Sequence, residues 1–493
     1  MDNRGRGRLT NNAAPPPPIH RFMKKFLIVL LILIGVTSQA QDLSAPEDDA
    51  LIVSRIEQWQ NLKFGLMMHW GIYSQWGVVE SWSICNEDWI TRDGADYIQY
   101  KNDYQSLNTT FNPTRFDADA WAAIAKDAGM RYVVFTTKHH DGFCMFNTKE
   151  TSYSTVDASC PFSSDARADI TAEVVNSFRN NGFWTGLYFS KPDWHHDDYW
   201  ARQWATPDRN VNYDPQKYPE RWQRFCDFTF NQIKELTHNY GDIDILWLDG
   251  GWIRPEYSIN DEYRSWLGCK GYVQDVNIPK IAEMARENNP DLLIVDRTVH
   301  GKYENYRTPE QQVPDDVLPF PWETCMSLGD SWSYVENDNY KSTNTIIHIL
   351  IDVVAKGGNY LLNVGPDATG ELPAVAVQRL KEIGEWMKIN GDAIYDTRPV
   401  PPYFKDRFRF TQKDGRVFVH YLLDENETVP SSIAVPDDAL SLISSKNINT
   451  RPPKLKVLGG GAKAELRKSD NGYVIDIKGK INLKHAIVFE IKK

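Results

Sequence analysis

The sequence lacks the short motifs that mark common metal and dinucleotide sites. Its six cysteines are widely scattered and form no CxxC pair, and no HExxH segment occurs. No GxGxxG segment follows the first strand-like run, which argues against a dinucleotide-binding sheet. We therefore expect no metal and no organic cofactor. The spacing leaves open whether the cysteines are buried thiols or disulfides.

Positive charge is also scarce. The 493 residues carry a formal net charge of −11, and six of the 55 Lys and Arg residues, but only one acid, precede Phe26. The rest of the chain is therefore more acidic than the total. Because an acidic surface repels phosphate backbones and anionic headgroups, we expect no nucleic-acid partner and no membrane partner for the mature chain.

An N-terminal apolar run is too short for a comfortable membrane span. From Met23 the chain reads MKKFLIVLLILIGVTSQAQ, with two lysines, an apolar run over 26–36 and the small-residue ending at 38–40. This pattern predicts a signal peptide, and no cysteine follows that would carry a lipid anchor. We expect residues 1–40 to be an upstream extension and signal peptide, and the mature chain to be periplasmic or secreted from near Gln41.

From about Lys63 to Pro366 short apolar runs alternate with longer segments of helical spacing. Seven runs are typical of buried strands: KFGLMMHW, YVVFTTKH, WTGLYFS, DILWLDG, LLIVDR, WETCMSL and NYLLNVGP. Such alternation indicates a parallel sheet covered on both faces. The strand number, the missing GxGxxG and polar residues at several strand ends favour a (β/α)8-type TIM barrel over an open doubly wound sheet. We place this α/β barrel at residues 41–398.

The pattern changes after Pro399. Short alternating segments such as RFRFTQ, RVFVHYLL and HAIVFEIK are separated by turn residues, which is typical of antiparallel strands. We expect a small C-terminal antiparallel β-sandwich at residues 399–493.

Polar residues follow several of the predicted barrel strands. In a parallel barrel the carboxyl ends of the strands meet at one rim, where active sites form. His69, His139, Tyr188, Asp249 and Arg297 are therefore expected to point to that rim, and Glu323 is a further candidate. An isolated Asp at a strand end is more often a helix cap or an ion-pair partner, but Asp249 is followed by two glycines and Trp252, which leave room for a ligand.

Two adjacent histidines, His139 and His140, suggest a metal site at first sight. Successive strand residues face opposite sides, so a regular strand does not let both bind one ion, and no third ligand is spaced to join them. We expect these side chains to bind hydroxyl groups.

Nine segments together identify a family: KFGLMMHWGIYS, YVVFTTKHHDGF, GLYFSKPDW, LWLDGGW, DRTVHG, YRTPEQQVP, WETCMSLGDSWSY, AKGGNYLLNVGPDATGEL and NGDAIY. In this order they resemble the α-L-fucosidases of glycoside hydrolase family 29, over roughly Trp59 to Tyr395. The resemblance implies a barrel with a β-sandwich behind it. It also implies an exo-glycosidase that removes terminal α-L-fucose from fucosylated glycans by double displacement, with retention of configuration.

The resemblance also assigns the catalytic pair. Asp249 takes the nucleophile position, which must stay ionised, and the partner carboxyl must begin protonated. YRTPEQQVP matches the segment that carries the acid/base in several relatives, which favours Glu310. Glu304 is the second candidate. Glu323 is the third, because its strand-like segment favours a structural role.

The sugar-binding residues follow by position in the same way. The hydroxyl ligands are His69, Glu80, His139 and His140, with Tyr188 and Arg297 beside the nucleophile. The usual EWY reads ESW in this chain, so the neighbouring aromatic, Trp82, comes one residue later, which leaves its role open. Trp252 or Phe143 is expected to face the methyl group of fucose.

Two alternatives remain open from the sequence. A related exo-glycosidase for α-L-galactosides differs only in accepting a hydroxyl at C6, which an apolar pocket rejects weakly. A non-catalytic fucose-binding protein is the other. Linkage preference is expected to depend on loops 197–219 and 257–271, and the oligomeric state is not determined.

Overall fold

A computed structural model describes residues 42–92, 96–206, 208–266, 273–437, 439, 454–470, 472–479 and 483–492. From Leu43 onward these residues form one compact unit. The predicted signal peptide lies outside the described residues. Among the described residues, no helix is both long and apolar enough to cross a membrane.

Each of the seven predicted apolar runs forms a parallel strand. The strands are β1 (Phe64–Met68), β2 (Tyr132–Lys138), β3 (Trp184–Ser190), β4 (Ile245–Asp249), β5 (Leu293–Asp296), β6 (Glu323–Ser327) and β7 (Asn359–Asn363). Their order in the sheet is β5-β4-β3-β2-β1-β7-β6. Nearly every strand residue is buried, as expected for a sheet covered on both faces. The predicted TIM-type barrel is confirmed.

The gap between β5 and β6 is filled by residues 304–311. The backbone of Asn305 donates to Ile294 in β5, whereas that of Gln311 donates to Cys325 in β6. A parallel bridge also joins Glu310 to Cys325. The described wall therefore has seven regular strands rather than eight, and this irregular segment lies in the remaining position.

Helices cover the outside of the barrel. They are α1 (Ala50–Leu62), α2 (Tyr97–Gln105), α3 (Ala118–Asp127), α4 (Ile170–Asn180), α5 (Pro219–Asn239), α6 (Asp261–Trp266), α7 (Ile278–Asn288), α8 (Thr343–Ala355) and α9 (Ala374–Asn390). Side-chain N-caps begin several of them, for example Asp117, Asp169 and Ser342, which accept a backbone N–H of the first turn.

Alternate residues of each barrel strand face opposite sides. In β1, Leu66 and Met68 join the core under the helices, whereas Met67 joins a second cluster that fills the barrel interior. Tyr188 and Trp247 belong to the interior cluster. Large aromatic side chains therefore fill the space directly beneath the carboxyl ends of β3 and β4.

The described part of the C-terminal region forms one antiparallel sheet of eight strands, which confirms the predicted antiparallel β-domain. The strands are β8 (Arg398–Lys405), β9 (Phe408–Lys413), β10 (Arg416–Leu422), β11 (Ser432–Val435), β12 (Lys454–Val457), β13 (Lys463–Ser469), β14 (Gly472–Lys478) and β15 (Ala486–Lys492). In β10, Phe418 packs on the barrel core, whereas Val417 and Val419 join a separate core. The sheet therefore shares part of its core with the barrel, and the boundary at residue 399 stays a prediction.

Five cysteines are free thiols among the described residues, and Cys85, Cys144, Cys160 and Cys325 are buried. Cys269 lies outside the described residues. Burial raises the pKa of Cys144 and Cys325, so these thiols stay protonated.

Candidate active site

A cavity of about 410 Å³ opens at the carboxyl ends of the barrel strands. Ten of the thirteen residues predicted for the site line it: His69, Glu80, Trp82, His139, His140, Tyr188, Asp249, Trp252, Arg297 and Glu310. The other three, Phe143, Glu304 and Glu323, do not. Side chains from five strand ends and two loops thus converge on one space, as the parallel topology predicts.

Asp249, the last residue of β4, accepts two side-chain hydrogen bonds and lies near a histidine. The Tyr188 hydroxyl donates to its Oδ2 over 2.7 Å, and Arg297 Nη1 donates to its Oδ1 over 3.0 Å. His140 Nε2 lies 3.8 Å from Oδ2. Burial by itself raises the pKa of this carboxyl, but the positive charge of Arg297 and the two other groups outweigh it and hold the pKa well below its usual range. Asp249 is therefore ionised.

Arg297 joins two carboxylates. Its Nη2 donates to Glu310 Oε2 over 2.6 Å, and its Nε donates to Thr308 Oγ1 over 3.0 Å. The guanidinium lies over the Trp247 ring, 4.7 Å from its centroid, which fixes the plane of the fork. The Glu310 side chain is 44% exposed, whereas that of Asp249 is 17% exposed. The two acids therefore lie in different surroundings around one arginine.

Three histidines line the cavity as neutral imidazoles. Each contacts a buried polar side chain with Nδ1: His69 contacts Asn363 over 2.8 Å, His139 contacts Ser81, and His140 contacts Ser190. Burial lowers the pKa of all three, to about 4 for His69 and about 3 for His140. Neutral rings with one nitrogen fixed leave Nε2 for a ligand hydroxyl.

Glu80 is almost fully buried at the cavity wall. Its Oε1 accepts the backbone N–H of Ser333 over 2.7 Å. Burial raises the pKa of Glu80 to about 7, even though this hydrogen bond favours the ionised form. Its φ of 27° is unusual for a residue with a side chain, so the site holds Glu80 in a strained conformation.

Indole rings form one side of the cavity. Trp82 packs edge to face on His140 with centroids 5.2 Å apart, and on Trp252 at 5.9 Å. Trp252 is fixed by a 2.9 Å hydrogen bond from Nε1 to the Tyr199 hydroxyl. Trp82 thus lines the cavity despite the shift of one residue in ESW. Phe143, the other residue expected beside the methyl group, packs instead between Phe111 and Tyr153 outside the cavity lining.

Comparison with known proteins identifies the family. The profile described as alpha-L-fucosidase matches residues 31–392, which is most of the chain. The chain belongs to the α-L-fucosidase family. The alpha-L-fucosidase of Dictyostelium discoideum is 28% identical over 394 residues, which cover 76% of this chain and 79% of that protein. The predicted family and glycoside hydrolase class are confirmed.

Two solved α-L-fucosidase structures show the same fold. Isoenzyme 1 from Paenibacillus thiaminolyticus superposes with a TM-score of 0.70 at 28% identity, over 90% of this chain and 99% of that one. The family 29 enzyme from Bacteroides thetaiotaomicron has a TM-score of 0.65 at 22% identity, over 91% and 96% of the two chains. At that lower identity the likeness concerns the fold alone.

The two other candidate acids of this fucosidase-family chain lie elsewhere. Glu304 is almost fully buried. Its Oε1 accepts a hydrogen bond from the backbone N–H of Thr298, and its Oε2 contacts His300 Nδ1. Glu323 is buried in the barrel interior, where it accepts hydrogen bonds from Tyr132 (2.6 Å) and Trp247 (3.3 Å). Neither side chain lines the cavity that contains Asp249.

The sequence reasoning missed several residues that line this fucosidase-family cavity. Trp332 lies in the matched segment WETCMSLGDSWSY, and its ring centroid is 5.1 Å from that of His69. Arg209 lies on loop 197–219, with its guanidinium 4.8 Å from the Trp82 ring centroid and Nε 2.7 Å from Glu87. The family motif contained a signal for Trp332. No sequence pattern indicated Arg209, because its partners are distant in the chain.

Proposed function

We propose that this protein is an exo-acting α-L-fucosidase that hydrolyses terminal α-L-fucose from fucosylated glycans with retention of configuration. The observation that carries the proposal is the contact of one arginine, Arg297, with both Asp249 and Glu310. Retaining hydrolysis needs two carboxyl groups about 5 to 5.5 Å apart. Because Asp249 and Glu310 contact the two terminal nitrogens of one guanidinium, their carboxyl groups lie close together.

In the proposed first step, Asp249 Oδ attacks the anomeric carbon and Glu310 donates its proton to the leaving oxygen. The products are a fucosyl ester of Asp249 and the free leaving group. Arg297 and Tyr188 favour the ionised nucleophile in the free enzyme, so Asp249 is ready at neutral pH. The Glu310 side chain is 44% exposed, so water reaches it.

In the proposed second step, Glu310 removes a proton from water, which attacks the anomeric carbon and releases fucose. Two inversions give net retention. The neutral imidazoles of His69, His139 and His140 are proposed ligands of the fucose hydroxyls, together with Glu80. Trp252 is the proposed apolar wall for the methyl group, and Trp82 the wall beside His140.

The proposed location is the periplasm or the extracellular space. The signal-peptide pattern that begins at Met23 supports this proposal. Fractionation of cells that express the full chain tests it, with N-terminal sequencing of the exported product. A product that begins near Gln41 is expected, whereas an intact N-terminus in the cytoplasmic fraction contradicts export.

The activity is tested with 4-nitrophenyl α-L-fucoside and the variant Asp249→Ala. We expect turnover by the wild type, loss of turnover in the variant and retention of α-configuration in the first product seen by NMR. Parallel assays with the α-L-galactoside distinguish the related exo-glycosidase. Binding of fucose without turnover by the wild type contradicts the enzymatic function.

A further inference from the structure

A second cavity, of about 420 Å³, adjoins the active-site cavity. The two cavities share Arg297, Thr298 and Glu310. The lining of the second cavity includes His300 but neither Asp249 nor His69, His139 or His140. It therefore extends from the side of the proposed acid/base and away from the proposed nucleophile.

The chemistry of the proposed reaction requires space on that side. A general acid must lie within hydrogen-bond distance of the glycosidic oxygen that it protonates. The leaving group is bonded to this oxygen, so its first sugar unit must lie next to Glu310. The second cavity is the space that begins at Glu310.

A planar cation and an aromatic ring form one wall of this cavity. Arg307 Cζ lies 3.8 Å from the Phe320 ring centroid, and the Arg307 side chain is 40% exposed. Leu318 and Pro309 add apolar surface, and Gln312 adds polar groups. The acidic side chains of Glu304 and Glu310 face the guanidinium groups of Arg307 and Arg297. This combination suits an uncharged pyranose with one apolar face.

The wall is fixed by the barrel itself. The Arg307 backbone donates to the Pro321 carbonyl over 3.0 Å, and the Glu323 backbone donates to the Arg307 carbonyl over 2.8 Å. Residues 307 and 320 therefore keep a set distance from Glu310, which lies on the same segment. A fixed wall selects among leaving groups by shape and linkage.

We propose that Arg307 and Phe320 bind the neutral sugar unit to which fucose is attached, and so set the linkage preference of the enzyme. This inference rests on the proposed fucosidase function. It assigns linkage selection to residues 307–320, a segment that the sequence reasoning did not consider for this role.

The test compares two substrates that differ only in the leaving group. In α-L-fucosyl fluoride the leaving atom fills no sugar site, whereas a fucosyl-galactose or fucosyl-N-acetylglucosamine disaccharide fills it. The disaccharide is the one that the wild type cleaves best among α-1,2, α-1,3, α-1,4 and α-1,6 linkages. In Phe320→Ala and Arg307→Gln we expect the ratio of kcat/KM for the disaccharide to that for the fluoride to fall about tenfold, the loss typical of truncating a packed anchor.

Matched control variants lie on loop 197–219, which the sequence analysis predicted to affect linkage preference. Tyr218→Ala and Arg202→Gln alter an aromatic residue and an exposed arginine of loop 197–219, and we expect the ratio to be unchanged. Phe320→Leu removes the aromatic ring but keeps an apolar side chain, so it tests the change in the kcat/KM ratio if the alanine variant does not fold. Equal losses for both substrates, or a fall in ratio only in the loop variants, overturn the inference. A wild type that cleaves neither substrate overturns the proposed function instead.

Discussion

Glu304 Oε1 accepts a 2.8 Å hydrogen bond from the backbone N–H of Thr298, a β-branched residue with φ of +62°. Such residues rarely adopt this conformation, which costs about 1–3 kcal/mol. Arg254 donates to the carbonyl of the same residue over 2.9 Å. Because Thr298 directly follows Arg297, the strained turn helps to aim the arginine that contacts Asp249 and Glu310.

This relationship predicts a positioning role for Glu304. We expect Glu304→Ala to lower kcat about tenfold, because the turn relaxes and the arginine shifts. Glu304→Gln keeps an oxygen acceptor and should retain most of the activity. Adding Thr298→Gly to the alanine variant should restore kcat, since glycine adopts positive φ without strain.

Azide rescue separates positioning from acid/base chemistry at the two glutamates. With an activated aryl fucoside, azide should accelerate Glu310→Ala and leave Glu304→Ala unchanged. Rescue of Glu304→Ala, together with equal losses in its alanine and glutamine variants, contradicts the assignment and makes Glu304 the acid/base.

The pH dependence of catalysis should follow Arg297. Its charge holds the pKa of Asp249 below the usual range against the opposing effect of burial. In Arg297→Met only burial and weaker partners remain, so the pKa of Asp249 should rise. The acidic limb of kcat/KM for α-L-fucosyl fluoride should therefore move to higher pH. Arg297→Lys keeps the positive charge, so the acidic limb should move less in this variant. If the limb does not move in either variant, Arg297 does not set the pKa of Asp249.

Much of the fold was predictable because runs of apolar residues indicate buried strands. Each of the seven apolar runs became a strand, since a parallel sheet covered by helices requires nearly continuous apolar residues. Family motifs also located ten residues of the cavity, including Trp82 despite its shifted position.

The rest depended on contacts between distant residues. Glu304 and Glu310 are six positions apart on one irregular segment, and only its backbone pairing with β5 and β6 separates their environments. His69 is oriented by Asn363, which lies 294 residues later in the chain. No local pattern reports such partners, so the sequence left the acid/base unresolved.

Glu323 should affect stability more than chemistry. Burial raises its pKa to about 7, so its contribution to stability is complete below the unfolded pKa and is lost as pH rises through about 7. Glu323→Gln removes this titration. Between pH 5 and 8 we expect the free energy of unfolding of the wild type to fall relative to that of the variant, by on the order of 1–3 kcal/mol. Denaturant titrations at both pH values measure it. If the free energies of unfolding of the wild type and the variant change equally with pH, a structural role is contradicted. An activity loss in the variant that azide reverses also contradicts it.

The buried ion pair of Lys191 and Asp296 should help to position Asp249, the proposed nucleophile. Both side chains are nearly inaccessible, and Lys191 Nζ also donates to the Ile253 carbonyl over 2.8 Å. The Lys191 backbone donates to the carbonyl of Asp249 over 3.0 Å. Lys191 thus connects Asp249 and the loop after it to the end of β5.

Lys191→Met leaves Asp296 buried without its cation, which typically costs about 3–5 kcal/mol. We expect that loss in the free energy of unfolding, measured by denaturant titration, and a lower kcat at temperatures where the variant is still folded. Combining it with Asp296→Asn removes the uncompensated charge and should recover part of the stability but not kcat, because the bond to Ile253 is still missing. Arg202→Met, which breaks an exposed ion pair, should leave both unchanged. Full recovery of kcat in the double variant would show that Lys191 acts on stability alone.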